Sequence, residues 1–321
     1  MSDRPTLLVT RALPALVEDR ITADYDARLN SDDAQYDGDA LVARSVGANA
    51  ILTCSTEKFP EPVIRQLSDS VRAIATYSVG YEHIDLVAAR ARDIVVTNTP
   101  DVLTDATADV AFLCLLGAAR RAQESAAMLR GGKWGRWEAT TLLGVHLGGK
   151  ILGILGMGRI GRAVAKRARA FEMIIHYSNR SRLEPALEHG AIYHENPEDM
   201  LSHCDFLSIN CPSTPDTRHF LDARRIDMLP DGVIVVNSAR GDIIVDDALI
   251  DAVERGKVSG IGLDVYDGEP NFNPGYMTLK NAFLVPHIGS ATVDTRNAMG
   301  FRALDNLDAI FAGAEPADRI S

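Results

Sequence analysis

The stretch that most constrains this chain is Lys150–Asn179, KILGILGMGRIGRAVAKRARAFEMIIHYSN. Its first apolar run, Ile151–Leu155, reads as a strand buried on both faces. The turn Gly156-Met157-Gly158-Arg159-Ile160-Gly161 follows. Ile160, Val164, Ala168 and Phe171 then recur every three or four residues, with Arg162, Lys166, Arg167 and Arg169 mostly on other faces, as in a helix. A second apolar run, Met173–Tyr177, closes the unit. Strand, glycine turn, helix and strand in this order form the context in which G-x-G-x-x-G binds a dinucleotide. The first glycine permits the tight turn, the second lets backbone approach a pyrophosphate, and the third lets helix pack on strand. The free N–H groups and the positive end of the helix dipole then face the phosphates.

The rest of the chain has to accommodate that unit. At 321 residues it suits two domains of ordinary size. With 33 Lys and Arg against 44 Asp and Glu the formal charge is −11, which argues against nucleic acid or an anionic membrane as the main partner. Cys54, Cys114, Cys204 and Cys211 have no metal-ligand spacing, so no metal is expected; buried reduced thiols fit a reducing compartment. The N-terminus MSDRPTLLVTRALP has no long apolar h-region, and the longest apolar run, Val110–Ala119, is ten residues. A cytoplasmic location is the expectation.

Along the chain, Thr6–Thr10, Ala50–Thr53, Arg72–Tyr77 and Ile94–Asn98 read as strands separated by helix-length segments, which predicts a mostly parallel sheet. Residues 1–100 thus look like an α/β domain of their own. A helix apolar nearly all round is expected over Leu103–Arg121, with Thr104 as its N-cap. The loop Gly131–Trp137 holds both tryptophans and reads equally well as a packed surface loop or as part of a site. After the fingerprint, strands are expected at Phe206–Cys211, Val233–Ser238, Gly260–Val265 and Ala282–Val285. With the two of the opening unit they make six, the number in a doubly wound dinucleotide domain. A helix is expected over Asp246–Arg255. Ser290–Ala312 is amphipathic with no strand after it, so it must pack elsewhere, most simply on the first domain.

Polar residues just past the C-terminal ends of parallel strands are the default site in such a fold. Arg240 follows one strand in NSARG, Glu269 another in DVYDGEP, and His287 a third in VPHIGS. An arginine can clamp a carboxylate bidentately and polarise a carbonyl. An imidazolium can protonate a developing alkoxide, and a carboxylate beside it favours that protonated form. Singly, each also reads as an ordinary ion pair, turn residue or satisfied histidine.

Taken together, SVGYEHID at 78–85, VLTDATAD at 102–109, GMGRIG at 156–161 and CPSTPDTRHF at 211–220 make a recognisable series. It continues with LPDGVIVVNSARGDIIVDDALIDAV at 229–253, GLDVYDGEP at 262–270 and PHIGSAT at 286–292. In this order the motifs resemble the D-isomer-specific 2-hydroxyacid dehydrogenase family, in its glyoxylate/hydroxypyruvate reductase branch, over nearly the whole chain. Two positions depart from the commonest pattern: Glu82 stands where Asp or Asn is frequent, and Tyr266-Asp267-Gly268 replaces a Phe-Glu pair.

The resemblance implies two doubly wound parallel-sheet α/β domains with a cleft between them. A flavodoxin-like substrate domain takes 1–100 plus 290–321, and a Rossmann dinucleotide-binding domain takes 101–289. It implies Arg240, Glu269 and His287 as catalytic residues, with Arg240 also binding substrate beside the backbone N–H groups of Val79 and Gly80. The cofactor set it implies is Thr107, Gly156, Gly158, Arg159, Ile160, Gly161, Pro212, Thr217, Ser238, Ala239, Asp264, His287 and Gly289. A homodimer is implied as well.

Cofactor choice follows from chemistry. Enzymes that select NAD place Asp or Glu about twenty residues after the glycines, on the ribose 2′-hydroxyl. Here Asn179 stands in that place, within Tyr177-Ser178-Asn179-Arg180-Ser181-Arg182. Arg180 and Arg182 are able to pair with a 2′-phosphate and Ser178 or Ser181 to bond it. NADP(H) is therefore expected to be preferred, with NAD(H) possible. The expected activity is reduction of small 2-oxo acids, glyoxylate to glycolate and hydroxypyruvate to D-glycerate, with His287 as acid/base. The alternatives are another D-2-hydroxyacid substrate, or a dinucleotide-sensing corepressor-like binding protein on the same fold.

Overall fold

Short aliphatic runs joined through helices favour strands that all point one way, and every pairing between strands in the two sheets is parallel. The computed structural model describes residues 4–321. The chain divides into two units, Met1–Leu103 with Ser290–Ser321, and Thr104–Gly289.

In the first unit β1 (Thr6–Val9), β2 (Asp26–Arg28), β3 (Ala50–Thr53), β4 (Ala73–Thr76) and β5 (Val95–Thr97) form a sheet in the order β2-β1-β3-β4-β5. That is the flavodoxin-like doubly wound order. Strand β2 was not anticipated. It lies at the edge, with Asp26 and Arg28 exposed, so it lacks the apolar run that marks the interior strands. The helix Val293–Phe311 packs on β4 and on the helix Ala15–Asp24, burying Met299, Ala303, Leu304 and Leu307. Buried Asn306 ties it to the end of the chain, donating to Asp318 Oδ2 at 2.9 Å and accepting from Asp318 N at 3.1 Å.

In the second unit β6 (Ile151–Leu155), β7 (Ile174–Ser178), β8 (Ile192–Tyr193), β9 (Phe206–Ile209), β10 (Val233–Asn237), β11 (Val258–Leu263) and β12 (Ala282–Leu284) form one sheet in the order β12-β11-β10-β9-β6-β7-β8. This is the Rossmann order with one further strand, and the direction of winding reverses between β6 and β9. The seventh strand is β8, a two-residue edge with Ile192 exposed, again too short and too wet to read from the sequence. The helix Thr104–Ala119 begins at Thr104 itself. It packs on β10, β11 and the helix Arg159–Ala170, which explains its nearly uniform apolarity, although Leu113 stays exposed. Ala122–Arg130, a helix with no buried residue, was not anticipated.

Register fixes where the site lies. Ser178, Leu155, Ile209, Asn237, Leu263 and Leu284 are successive cross-strand partners in one row. The residues that follow this row, Asn179, Gly156, Asn210, Ser238, Asp264 and Val285, therefore emerge along a single edge.

All four cysteines are free; Cys114, Cys204 and Cys211 are buried, and Cys54 only partly so. Burial pushes the Cys114, Cys204 and Cys211 thiols up to about 12, so they stay protonated and inert. Among the described residues no helix is long and apolar enough to cross a membrane, and no group of His, Cys, Asp and Glu could hold a metal ion.

Candidate active site

The fingerprint turn starts one residue past β6. Gly156 has φ +92, and a Cβ there would come within 2.6 Å of Cys211 N. A Cβ on Gly161 would meet Gly156 O at 2.4 Å, so the helix closes directly onto the turn. Gly158 differs from both. A Cβ there would meet nothing within 4 Å, and Gly158 caps the helix Arg159–Ala170 without any side-chain hydrogen bond. A helix N-terminus with open space before it and no side-chain cap suits a pyrophosphate.

Two orphaned polar atoms lie on the same edge. Ser238 Oγ, past β10, and Asn210 Oδ1, past β9, are buried and have no hydrogen-bond partner among the described residues. Buried polar atoms are nearly always satisfied, so such a pair beside the fingerprint fits a bound dinucleotide. Asn210 was not singled out from the sequence; its place next to the winding reversal is the signal that marks it. Pro212 and Thr217 lie in the following turn. Thr217 Oγ1 donates to Pro212 O at 2.6 Å and accepts from Thr214 N at 2.8 Å, so Thr217 shapes this turn.

The loops after β10, β11 and β12 converge on one constellation. Asn237, fully buried, accepts from Ala239 N at 2.9 Å and donates to Arg240 O at 2.7 Å, folding Ser238-Ala239-Arg240 back on itself. A Cβ on Gly241 would come within 1.8 Å of the Tyr266 carbonyl carbon, which is why glycine follows Arg240. The Tyr266 hydroxyl donates to Leu263 O at 3.1 Å and Val285 O at 3.0 Å, bracing the ends of β11 and β12. Asn237 and Tyr266 position the site and were not picked out from the sequence, because only the fold brings their partners within reach.

His287 Nδ1 donates to Glu269 Oε1 at 2.5 Å, and Glu269 Oε2 accepts from Tyr266 N at 3.4 Å. Burial pushes the Glu269 carboxyl up, but the His287 hydrogen bond and charge, Tyr266 N–H and the Arg240 charge outweigh it and hold Glu269 below its ordinary range. His287 sits in the left-handed region at φ +50, at a cost on the order of 1 kcal/mol. Asp264 holds it there. Its carbonyl accepts from His287 N at 2.8 Å, and its carboxylate accepts from Ile288 N at 2.6 Å and Gly289 N at 2.9 Å. Asp264 is 1 % exposed, and burial raises its carboxyl to about 6 against those hydrogen bonds. Its oxygens are thus already engaged with the backbone. Thr107, buried on the helix Thr104–Ala119, faces Gly289, where a Cβ would lie 3.4 Å from its methyl.

The loop after β7 carries the selectivity residues. Asn179 Oδ1 accepts from Met157 N at 2.6 Å, which pins the side chain to the fingerprint turn and leaves its amide as donor. Arg180 and Ser181 are exposed, while Ser178 is buried. Arg182 departs from expectation: its guanidinium is bidentate on Glu188, at 2.8 and 3.1 Å, instead of standing ready for a ligand.

In the first unit, the carbonyls of Val79 and Gly80 are held by Asn98 Nδ2 at 2.8 Å and Ser78 Oγ at 2.6 Å. Their N–H groups make no hydrogen bond among the described residues. Trp134 and Trp137, 59 % and 79 % exposed, lie in an irregular loop of the second unit.

Residues 112–289 match the family described as D-isomer specific 2-hydroxyacid dehydrogenase, NAD binding domain. The chain is 42% identical over 311 residues to glycerate dehydrogenase of Hyphomicrobium methylovorum, covering 96% of this chain and 97% of that one. It is 37% identical over 322 residues to glyoxylate reductase of Thermococcus litoralis, covering 99% and 97%. Among solved structures it resembles an NADPH-dependent glyoxylate/hydroxypyruvate reductase from Sinorhizobium meliloti in complex with NADP and malonate, with TM-score 0.90, 33% identity and coverage of 99% and 97%.

Proposed function

The chain belongs to the D-isomer specific 2-hydroxyacid dehydrogenase family, and from that premise we propose that it reduces glyoxylate to glycolate and hydroxypyruvate to D-glycerate, with NADPH preferred over NADH. It is an NAD(P)-dependent oxidoreductase of small 2-oxo and 2-hydroxy acids. The observation that carries the finer reading is the convergence of His287, Glu269 and Arg240 on the sheet edge that also carries the fingerprint turn.

Bound nicotinamide supplies or accepts the hydride. The protein's own contribution is charge and a proton. Glu269 fixes the His287 ring through Nδ1, which leaves Nε2 to protonate the carbonyl oxygen as it becomes an alkoxide. Arg240, its backbone fixed by Asn237 and its Nη1 donating to Ala239 O at 2.7 Å, is the cation for the substrate carboxylate and carbonyl. Asp264 holds the turn bearing His287 in place.

Support for NADPH lies in Asn179 and Arg180. An Asp or Glu at position 179 would repel a 2′-phosphate, whereas the pinned amide of Asn179 offers donors and Arg180 a positive charge. A homodimer is also proposed, on the exposure of Trp134 and Trp137 together with Leu129 and Leu143, and a cytoplasmic setting on the free thiols. Initial rates with both coenzymes across a panel of 2-oxo acids test the proposal. Glyoxylate and hydroxypyruvate should lead with NADPH ahead; a clear preference for NADH would refute the coenzyme assignment.

A further inference from the structure

The two arginines after β7 are chemically alike and two residues apart, yet the fold treats them differently. Arg182 is engaged. Its Nε and Nη2 reach the two oxygens of Glu188, whose side chain is only 8% exposed. Glu188 Oε1 also accepts from the hydroxyl of Tyr177 at 2.7 Å, and that hydroxyl accepts from Leu183 N at 3.0 Å. Tyr177 is fully buried in β7, so the clamp is anchored in the sheet. Arg169, on the fingerprint helix, donates to Glu188 O at 2.7 Å and closes the loop from the other side. The Arg182 guanidinium lies 5.8 Å over the Tyr193 ring, and the Tyr193 hydroxyl donates to Asn179 O at 3.4 Å. Arg180 is exposed as Arg182 is, but by contrast it has no hydrogen bond or ion pair among the described residues.

The Arg182 guanidinium is itself 62% exposed, but for it to turn to a ligand the Glu188 carboxylate, only 8% exposed, would keep the Tyr177 hydroxyl as its one remaining side-chain partner, and both charge-assisted bonds of the fork would be lost. Arg180 has no such commitment. We propose that the loop divides coenzyme selection between them: Arg180 reads the 2′-phosphate of NADPH, and Arg182, clamped by Glu188 and Tyr177, is a positioning residue that holds Asn179–Ser181 in place without touching the phosphate. The division rests on the NADPH reading above and adds which cation recognises the phosphate and which sets the loop.

The experiment uses the full-length enzyme and two probes that differ by the phosphate in question, adenosine 2′,5′-bisphosphate and 5′-AMP, titrated calorimetrically. Arg180→Ala should weaken the bisphosphate by about tenfold or more, the order of a lost charge-assisted contact, and change 5′-AMP by less than about twofold. Arg180→Lys should recover part of the loss. Arg182→Ala should weaken both probes by a similar factor, leaving their ratio within about twofold of wild type, and should raise KM for both coenzymes more than it lowers kcat. Glu188→Gln should reproduce that pattern, and its effect should largely vanish when Arg182 is already Ala, since the two act as one unit. Tyr177→Phe serves the same comparison if either variant unfolds.

A loss in Arg182→Ala confined to the bisphosphate would overturn the proposal. So would wild-type discrimination between the probes that survives Arg180→Ala. A wild-type enzyme that binds the two probes equally refutes the NADPH reading itself, and with it the role of Arg180.

Discussion

The function we propose gives the sheet edge of the second unit two jobs at two ends, and the two ends are built differently. Past β10, β11 and β12 the loops are locked: Asn237 folds one, Tyr266 braces two, and Asp264 holds the histidine turn by three hydrogen bonds. Past β7 one side chain of a similar pair is locked to Glu188 and the other stands in solvent. Proton transfer tolerates little misplacement, because a reacting pair must already sit at hydrogen-bond distance. Recognition of a phosphate works with a flexible cation near the right place. Preorganisation is concentrated where the chemistry needs it.

Breaking the locked end should cost most. His287→Ala is expected to lower kcat with glyoxylate by about a hundredfold or more, the scale of general-acid catalysis, as steady-state rates would register. Arg240→Lys keeps the charge but loses the fork, and kcat/KM should fall by about tenfold to a hundredfold in the same assay. At the other end, Asn179→Asp keeps the acceptor for Met157 N and adds a charge facing the 2′-phosphate. The ratio of kcat/KM for NADPH over NADH should drop by about tenfold, chiefly through KM.

The smallest effect concerns stability. Glu269 is an acid held below its ordinary value of 4.5, so it contributes stability above that value and loses the contribution as pH falls through its lowered folded value. Melting temperatures of wild type and Glu269→Gln should therefore differ at pH 7 and converge as pH falls through the lowered folded value. A gap that widens in acid would reverse the assigned sign.

Interior strands were legible because they are short aliphatic runs buried on both faces. Ile151–Leu155 and Ala50–Thr53 fall where the sequence placed them. Two of the four edge strands, Val95–Thr97 and Ala282–Leu284, were legible as well, but Asp26–Arg28 and Ile192–Tyr193 were not, since they are half exposed and carry no such run. His287 and Glu269, eighteen positions apart, were legible as strand-end residues with suitable chemistry, and the structure sets them in hydrogen-bond contact. Asn237, Tyr266 and Asn210 were not, because their roles depend on what lies across the edge. The engagement of Arg182 was not legible for the same reason. Its ion pair with Glu188 depends on how the loop between them folds back, and nothing in the local spacing signals that the carboxylate will be shielded beside Tyr177.

The most direct test of the division between the two ends is to measure, in His287→Ala, both turnover of glyoxylate and the dissociation constants of NADPH and NADH by nicotinamide fluorescence. Turnover should fall by about a hundredfold or more while the ratio of the two dissociation constants stays within about twofold of wild type. Turnover near the wild-type rate, or a ratio that shifts along with it, would contradict the assignment of chemistry to one end of the edge and coenzyme choice to the other.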